Sequence, residues 1–479
     1  MPNLQARPTR LTIVLTGGIV FSGCAVGPNY TPPHPQMAAS FRATANLPPA
    51  IAPQADLASW WHAFADSMLD KVVEQALAEN LDLAQAIARV QQARAAAGVA
   101  RAALLPSGEL NASAATAHQS IETPIGRIEQ ALGVDRNGNL YEADVGASWE
   151  ADVFGGLRRG RQAALADYQA ADAGAAAARV AVVAEAADTY VLLRTLQARL
   201  GIAREQAEAQ RQLLDLARLQ YARGILAEAS LDESQSACAS AEAEVPALEA
   251  ALESATNALE VLMGSVPGGW HAALAEPSAI PVPPAIASAG GPASLLRRRP
   301  DIIVAERNLA AANARIGAAI AEYYPHFSIS ALLGFSGTSA SSLFGSGAAQ
   351  TQAIAGVRWR LFDFGRVDSE VAMARGRHAE ALAAYRQTVL QATADVENTF
   401  TSLAKSQAQT QLLQSSEDSL DRRQKSVRSA QARGAASRVE VLQSTGRLLQ
   451  ARDARVAAQS DTARAAIASF RALGGGWQG

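Results

Sequence analysis

Hydrophobic and polar positions follow two periods along this chain, and the period switches at fixed places. Val145, Ala147, Trp149, Ala151 and Val153 alternate with Asp144, Gly146, Ser148, Glu150 and Asp152. Ala353, Ala355, Val357, Trp359 and Leu361 alternate with Ile354, Gly356, Arg358 and Arg360, and Phe327, Ile329, Ala331, Leu333 and Phe335 alternate mostly with Ser and Gly. Successive strand side chains point to opposite faces, so these stretches of about nine residues predict half-exposed strands of membrane-crossing length. Elsewhere the period is helical. Helices are predicted over about 67–104 and 301–323, each stopped by a proline, Pro106 or Pro325. Two very long helices follow, Arg161 to Arg223 and Arg366 to Arg433, each roughly 90–100 Å at 1.5 Å per residue. Each reaches an Arg-Gly pair, after which a helix of about 35 residues returns; Leu248, Leu252, Ala255, Leu259 and Leu262 step by fours and threes, as a coiled-coil seam does.

The pattern occurs twice. Trp149 and Gly155 recur as Trp359 and Gly365, Tyr190 as Phe400, Arg223-Gly224 as Arg433-Gly434 and Met263-Gly264 as Leu473-Gly474, all at an offset of 210. Asp82, Gly98 and Pro106 recur as Asp301, Gly317 and Pro325 at an offset of 219. The difference places a longer surface loop between Pro106 and Trp149 of the first copy. Residues 265–300 carry seven prolines among Gly, Ala and Ser and read as a linker. The organisation expected is a leader over 1–23, an extended segment over 24–60, a first repeat over 61–264, the linker, a second repeat over 301–474 and a tail over 475–479.

The start of the chain changes the picture. Residues 1–23 hold Arg7 and Arg10, no acid, and an apolar run of about eleven residues from Leu11, too short for a spanning helix and suited to a signal-peptide core. It ends in Phe21-Ser22-Gly23-Cys24, which resembles a lipobox; cleavage before Cys24 would leave its thiol to be acylated as a membrane anchor, while an ordinary secretory signal is the alternative. The other cysteine, Cys238, has no partner and reads as a buried, inert thiol.

Composition excludes several classes. Basic and acidic residues number 42 and 45, leaving no nucleic-acid footprint. Six dispersed His and five Met show no metal spacing, so no metal or cofactor is expected. Asp363-Phe364-Gly365 mimics a kinase motif, but its counterpart Asp152-Val-Phe-Gly155 marks it as a strand-to-helix turn, and no nucleophile elbow or P-loop appears. A channel without catalysis is the reading. Arg297-Arg298-Arg299 reads either as an anion site or as a solvated lead-in to a helix. With 5% aromatic residues the chain suits thin, closely packed helices.

Strands with an apolar outer face cross a membrane only in a closed barrel. Four strands are too few for one, since barrels need about eight, so closure requires several copies. Trp149 and Trp359 at matching strand ends read as interfacial anchors. A small soluble sheet with coiled-coil hairpins is the alternative.

Cys24-Ala-Val-Gly-Pro-Asn-Tyr30, Leu296-Arg-Arg-Arg-Pro-Asp-Ile302, Ala305-Glu-Arg307, Ala311-Ala-Asn-Ala-Arg-Ile-Gly317 and the joints Asp152–Gly155 and Phe362–Gly365 are similar to the TolC-like outer-membrane factors, nearest the NodT-type efflux lipoproteins. That resemblance implies a mixed α and β membrane protein. It also implies a homotrimer whose four strands per chain form a twelve-stranded barrel continuous with a periplasmic α-helical barrel of coiled-coil hairpins, working with a periplasmic adaptor (membrane fusion) protein and an inner-membrane RND pump. The duct exports small molecules; type I protein or peptide secretion and a non-conducting envelope scaffold are the alternatives. The resemblance further implies that the turns at Arg223, Gly224, Arg433 and Gly434 form the tip that docks the adaptor. Glu440, Gln443, Ser230 and Asp232 then fall at the pore constriction. An acid six residues after the tip glycine, as in the resembling family, is present as Glu440 but replaced by Ser230 in the first copy, so Glu440 is the expected gate residue, with Arg438 and Arg433 near enough to tie neighbouring helices. Three Glu440 carboxylates meeting on an axis would raise one another's pKa.

Overall fold

The computed structural model of the chain describes residues 25–46, 56–286 and 291–478. The leader and Cys24 lie outside the described residues. The first copy comprises α1 (Ser67–Glu79), α2 (Leu81–Ala102), β1 (Ser107–His118), α3 (Pro124–Leu132), β2 (Asn137–Ala151), α4 (Gly156–Ala222) and α5 (Glu228–Leu262). After α6 (His271–Leu274) and α7 (Leu295–Arg298), the second comprises α8 (Pro300–Ala321), β3 (His326–Gly337), β4 (Ala349–Arg358), α9 (Arg366–Ala432) and α10 (Arg438–Ala472). The duplication is kept to the residue: α4 and α9 are both 67 residues, α5 and α10 both 35, at an offset of 210. Likewise α2 and α8, and β1 and β3, match at 219. The extra residues of the first copy include α3, in the loop between β1 and β2.

The expected single helix over 67–104 is instead two. Asn80 is extended, and its Oδ1 accepts from Asp82 and Leu83 N–H at 3.0 Å, capping α2 anew. Its Nδ2 donates to Leu262 O at the end of α5, 2.9 Å away. The second copy breaks in the same place, at Arg299, before Pro300 opens α8. In the arginine run, Arg297 and Arg298 are exposed, as a solvated lead-in requires, whereas Arg299 is largely buried and paired to Asp301 at 2.6 Å and Asp395 at 3.1 Å.

The chain divides into two compact units. Of the described residues, one takes 25–29 with 98–163 and 313–375. It contains a single antiparallel meander, β1-β2-β3-β4, whose two copies pair through β2 and β3. Leu110, Val145, Trp149, Ile329, Leu333 and Val357 lie on one face and stay exposed, while Glu109, Asp144, Glu150, Ser330 and Arg358 lie on the other. No helix among the described residues is long and apolar enough to cross a membrane.

The other unit takes 30–97, 164–312 and 376–479 and holds the main core. Helices α4 and α10 run antiparallel, stapled by Arg199 Nε to Asp453 Oδ1 at 2.7 Å and by a bidentate Arg464–Asp188 pair at 2.8 and 2.9 Å. Segment 24–60, read as an extended lead, contributes to this core. Residues Leu57–Phe64 form a 3-10 turn in which Trp60 stacks on Phe470 with centroids 5.1 Å apart, and Phe41 meets Phe400 edge-on. The proline-rich stretch 265–300 contains α6 and α7, with Leu274 and Leu295 buried. Cys238 is buried, and burial together with the Glu242 carboxylate raises its pKa.

Tyr190 sits at the centre of the core. Its hydroxyl donates to Asp66, which caps α1, and accepts from Arg194 Nε at 3.0 Å. Burial pushes the phenol up to about 12. A folded-state pKa above the unfolded value supports folding fully below pH 10 and loses that support as pH rises through about 12. Between those limits the parent is expected to lose thermal stability with rising pH more steeply than Tyr190→Phe, whose counterpart in the second copy is already Phe400; parallel melting curves would overturn this assignment.

Candidate functional site

The two Arg-Gly turns have one geometry. Gly224 and Gly434 adopt φ of 73° and 74°. In each, the glycine N–H bonds back to Tyr221 O or Gln431 O, and the following N–H bonds to Gln220 O or Ala430 O at 2.9 and 2.8 Å. This pair of bonds ends a helix by satisfying its last carbonyls, and it needs the left-handed conformation that glycine adopts without strain. Arg223 and Arg433 are exposed beside these turns.

The helices that follow start differently. Ser437 N–H and hydroxyl both donate to Glu440 Oε2, at 2.7 and 3.0 Å, while Glu440 N–H donates to Ser437 Oγ at 3.2 Å. This reciprocal capping box closes the first turn of α10. Hydrogen bonds from Ser437 hold the Glu440 carboxyl below its ordinary range. In the first copy Ala227 stands at the cap position with no side-chain bond, and Ser230 replaces the glutamate. The two tips therefore differ by a complete capping box. The Ser437-x-x-Glu440 pattern was readable in the sequence and signals helix initiation as strongly as it signals a gate.

Arg438 reaches across to Gln212 Oε1 on α4 at 2.7 Å, so it ties α10 to α4. Gln443 lies one turn beyond Glu440, on an exposed face of α10 that continues through Arg447 and Gln450. Ser230 and Asp232 are exposed near the start of α5. Among the described residues no group of three or more His, Cys, Asp or Glu could hold a metal ion.

In the sheet unit, Trp149 Nε1 donates to Leu104 O and Trp359 Nε1 to Tyr323 O, each at 3.0 Å. Both donors and both acceptors are repeat equivalents, so each indole locks a strand to the end of the helix preceding its hairpin. Trp149 lies inside β2, whereas Trp359 lies one residue past β4.

Sequence reasoning did not anticipate how the N-terminal motif is held. Arg159, 3% exposed, donates to Val26 O, Gly27 O and Asn29 Oδ1, each at 3.0 Å. Asn313 Nδ2 donates to Pro28 O at 3.1 Å, and Tyr30 donates to Glu306 at 3.1 Å. The segments Ala25–Tyr30 and Glu306–Gly317 thus meet in space. Ala25 lies against Gly155 at the β2–α4 joint, which places the residue after Cys24 at the end of a strand.

A family model described as outer membrane efflux protein matches residues 72–265 and 291–475, one span for each copy. The pyoverdine export outer membrane protein OpmQ of Pseudomonas aeruginosa is 30% identical over 88% of both chains. The probable outer membrane lipoprotein SilC of Salmonella typhimurium is 29% identical over 96% of this chain and 97% of its own. Among solved structures, the outer-membrane channel OprN superposes with a TM-score of 0.83 at 32% identity, over 95% of this chain and 100% of that one.

Proposed function

From the premise that this chain belongs to the outer membrane efflux protein family, we propose that three copies close into one duct through which an inner-membrane pump expels small molecules. The protein is an outer-membrane channel component of a tripartite efflux system. The observation that supports closure is the four-stranded sheet, with one apolar and one polar face and two free edges among the described residues. Free edges and an exposed apolar face are tolerated in lipid only when neighbouring copies complete the ring. Twelve strands from three chains satisfy that requirement. The helices α4, α5, α9 and α10 of each chain supply the wall of the periplasmic barrel. Cys24 carries the lipid, since Ala25 sits at the strand-to-helix joint, and Trp149 and Trp359 mark the same membrane level.

The tips at Arg223-Gly224 and Arg433-Gly434 dock the periplasmic adaptor, and Glu440 with Gln443 lines the constriction, with Ser230 and Asp232 contributing from the first copy. The pump is of the RND type. Purified protein is expected to form discrete channels in a planar bilayer, and a strain lacking it to become more susceptible to expelled compounds. Absence of conductance would leave an envelope scaffold; unchanged susceptibility with lost secretion of a protein would favour the secretion reading.

Glu440 requires two variants, because it both carries charge and caps a helix. Glu440→Gln keeps a capping-box partner, and Glu440→Ala removes it. With Glu440 at the constriction, both are expected to alter the conductance and lower the cation selectivity of the resting channel. A Gln variant indistinguishable from the parent, beside an altered Ala variant, would assign Glu440 to capping alone.

A further inference from the structure

We propose that the free edge of β4, continued through the next two residues Trp359 and Arg360, pairs with β1 of the neighbouring copy in one register: Trp359 opposite the partner's Leu110, Val357 opposite the partner's Ala112 and Arg360 opposite the partner's Glu109. The assignment rests on the multi-copy duct proposed above and is carried by the internal duplication. Strand β2 maps onto β4 at an offset of 210, and β3 maps onto β1 at 219. The chain contains the β2–β3 seam itself, with Trp149 opposite Ile329, Ala147 opposite Ala331 and Glu150 opposite Ser328. Translating each pair by its own offset gives the three pairs above.

The two faces of the sheet test this register independently. On β4, Ala353, Ala355 and Val357 lie on the apolar face, while Gln352 and Arg358 lie on the polar one. On β1, Leu110, Ala112 and Ala114 share the apolar face, and Glu109, Asn111 and Ser113 the polar one. The translated pairs join apolar to apolar and polar to polar. A slip by one residue would set Arg358 or Arg360 opposite the partner's Leu110 and turn a strand's charges toward lipid. The charged rung also answers its internal counterpart. Within the chain, Glu150 is met by His326 Nδ1 at 2.7 Å on the same face; between chains, Arg360, which bridges Glu322 of its own chain at 3.1 Å, faces the partner's Glu109 with opposite charge.

The strand-to-helix joint distinguishes this register from slips by two residues, which preserve the faces. Phe154 at the first joint stacks on Tyr324 with centroids 4.5 Å apart. Its counterpart Phe364 is fully exposed and held at φ of 54°. A large aromatic side chain in that conformation with no cover is strained and solvated at once. The repeat equivalent of Tyr324 is Leu105, itself exposed, so the translated register brings the partner's Leu105 under Phe364. The intrachain seam has an aromatic pair at this point, and the seam between copies has an aromatic ring on an aliphatic side chain.

Cysteine pairs read the register directly. In a Cys238→Ala background, Val357→Cys with Ala112→Cys is expected to give covalently linked multimers of the full-length protein on mild oxidation in detergent, reversed by reductant. Val357→Cys combined with Leu110→Cys or Ala114→Cys is expected to link poorly. Preferential linking of either slipped pair overturns the register. Failure of all three pairs, in protein whose mass by light scattering is that of three chains, overturns the seam. A mass of one chain overturns the multi-copy duct on which the proposal rests, and the two failures are thereby told apart.

Discussion

Gly264→Ala and Gly474→Ala are each expected to cost on the order of 3 kcal/mol, whereas Gly224→Ala and Gly434→Ala should cost about 1 kcal/mol. All four glycines end a long helix with φ between 67° and 75°. They therefore share the backbone penalty of a left-handed alanine. They differ in what a Cβ would meet. At Gly264 it would collide with Glu79 O at the end of α1, and at Gly474 it would lie 2.6 Å from Arg298 O at the end of α7, both backbone atoms. At Gly224 and Gly434 nothing lies within 4 Å. Separating α5 from α1, or α10 from α7, would open the core around Leu259, Met263 and Leu473. Denaturant midpoints of the four variants check the claim; equal losses at all four would mean that the close approach carries no energy and only the backbone conformation matters.

Arg159→Ala is the second large effect, expected at about 2–3 kcal/mol because it removes a buried charged donor from Val26 O, which is half-buried, and from Gly27 O and Asn29 Oδ1, which are exposed. The guanidinium also packs on Gly317, where a Cβ would lie 2.7 Å from Nε. Gly317→Ala should therefore displace Arg159 and produce the same phenotype in milder form. The informative readout is local: limited proteolysis should cut near Ala25–Asn29 in Arg159→Ala while cleavage at the two Arg-Gly turns stays as in the parent. A variant that melts early yet keeps this segment protected would show that Arg159 stabilises α4 without clamping the N-terminal segment. The counterpart of Arg159 in the second copy is Ser369, so only one of the two copies carries the clamp.

Much of the molecule was legible in its residues. Period-two stretches became β2, β3 and β4, the long helical stretches beginning near Arg161 and Arg366 became α4 and α9, and the offsets of 210 and 219 reappear in element boundaries. These features survive reading because they rest on short-range rules: strand alternation, helical period and the need for glycine at a left-handed turn. The resemblance to outer-membrane factors rested on motifs at Cys24–Tyr30 and Leu296–Gly317 and on the joints Asp152–Gly155 and Phe362–Gly365, and the family match bears it out.

The errors arose where a side chain chooses between a local and a distant partner. Asn80 looked like one more residue of a helix, but it caps α2 and holds the end of α5, nearly two hundred residues away in sequence. Arg299 looked like part of a solvated run, yet Asp301 and Asp395 neutralise it in a largely buried position. Trp60 and Phe41, in a stretch read as an extended lead, fill the core because large aromatic surfaces gain most from leaving water. The sequence by itself determined the elements, their duplication and the two-faced strands, since each follows from neighbours within a turn or a pleat. Only the tertiary structure decided which arginines are structural and that Arg159 pins the N-terminal motif. Those outcomes depend on burial and charge brought together across the fold, and no local period encodes them.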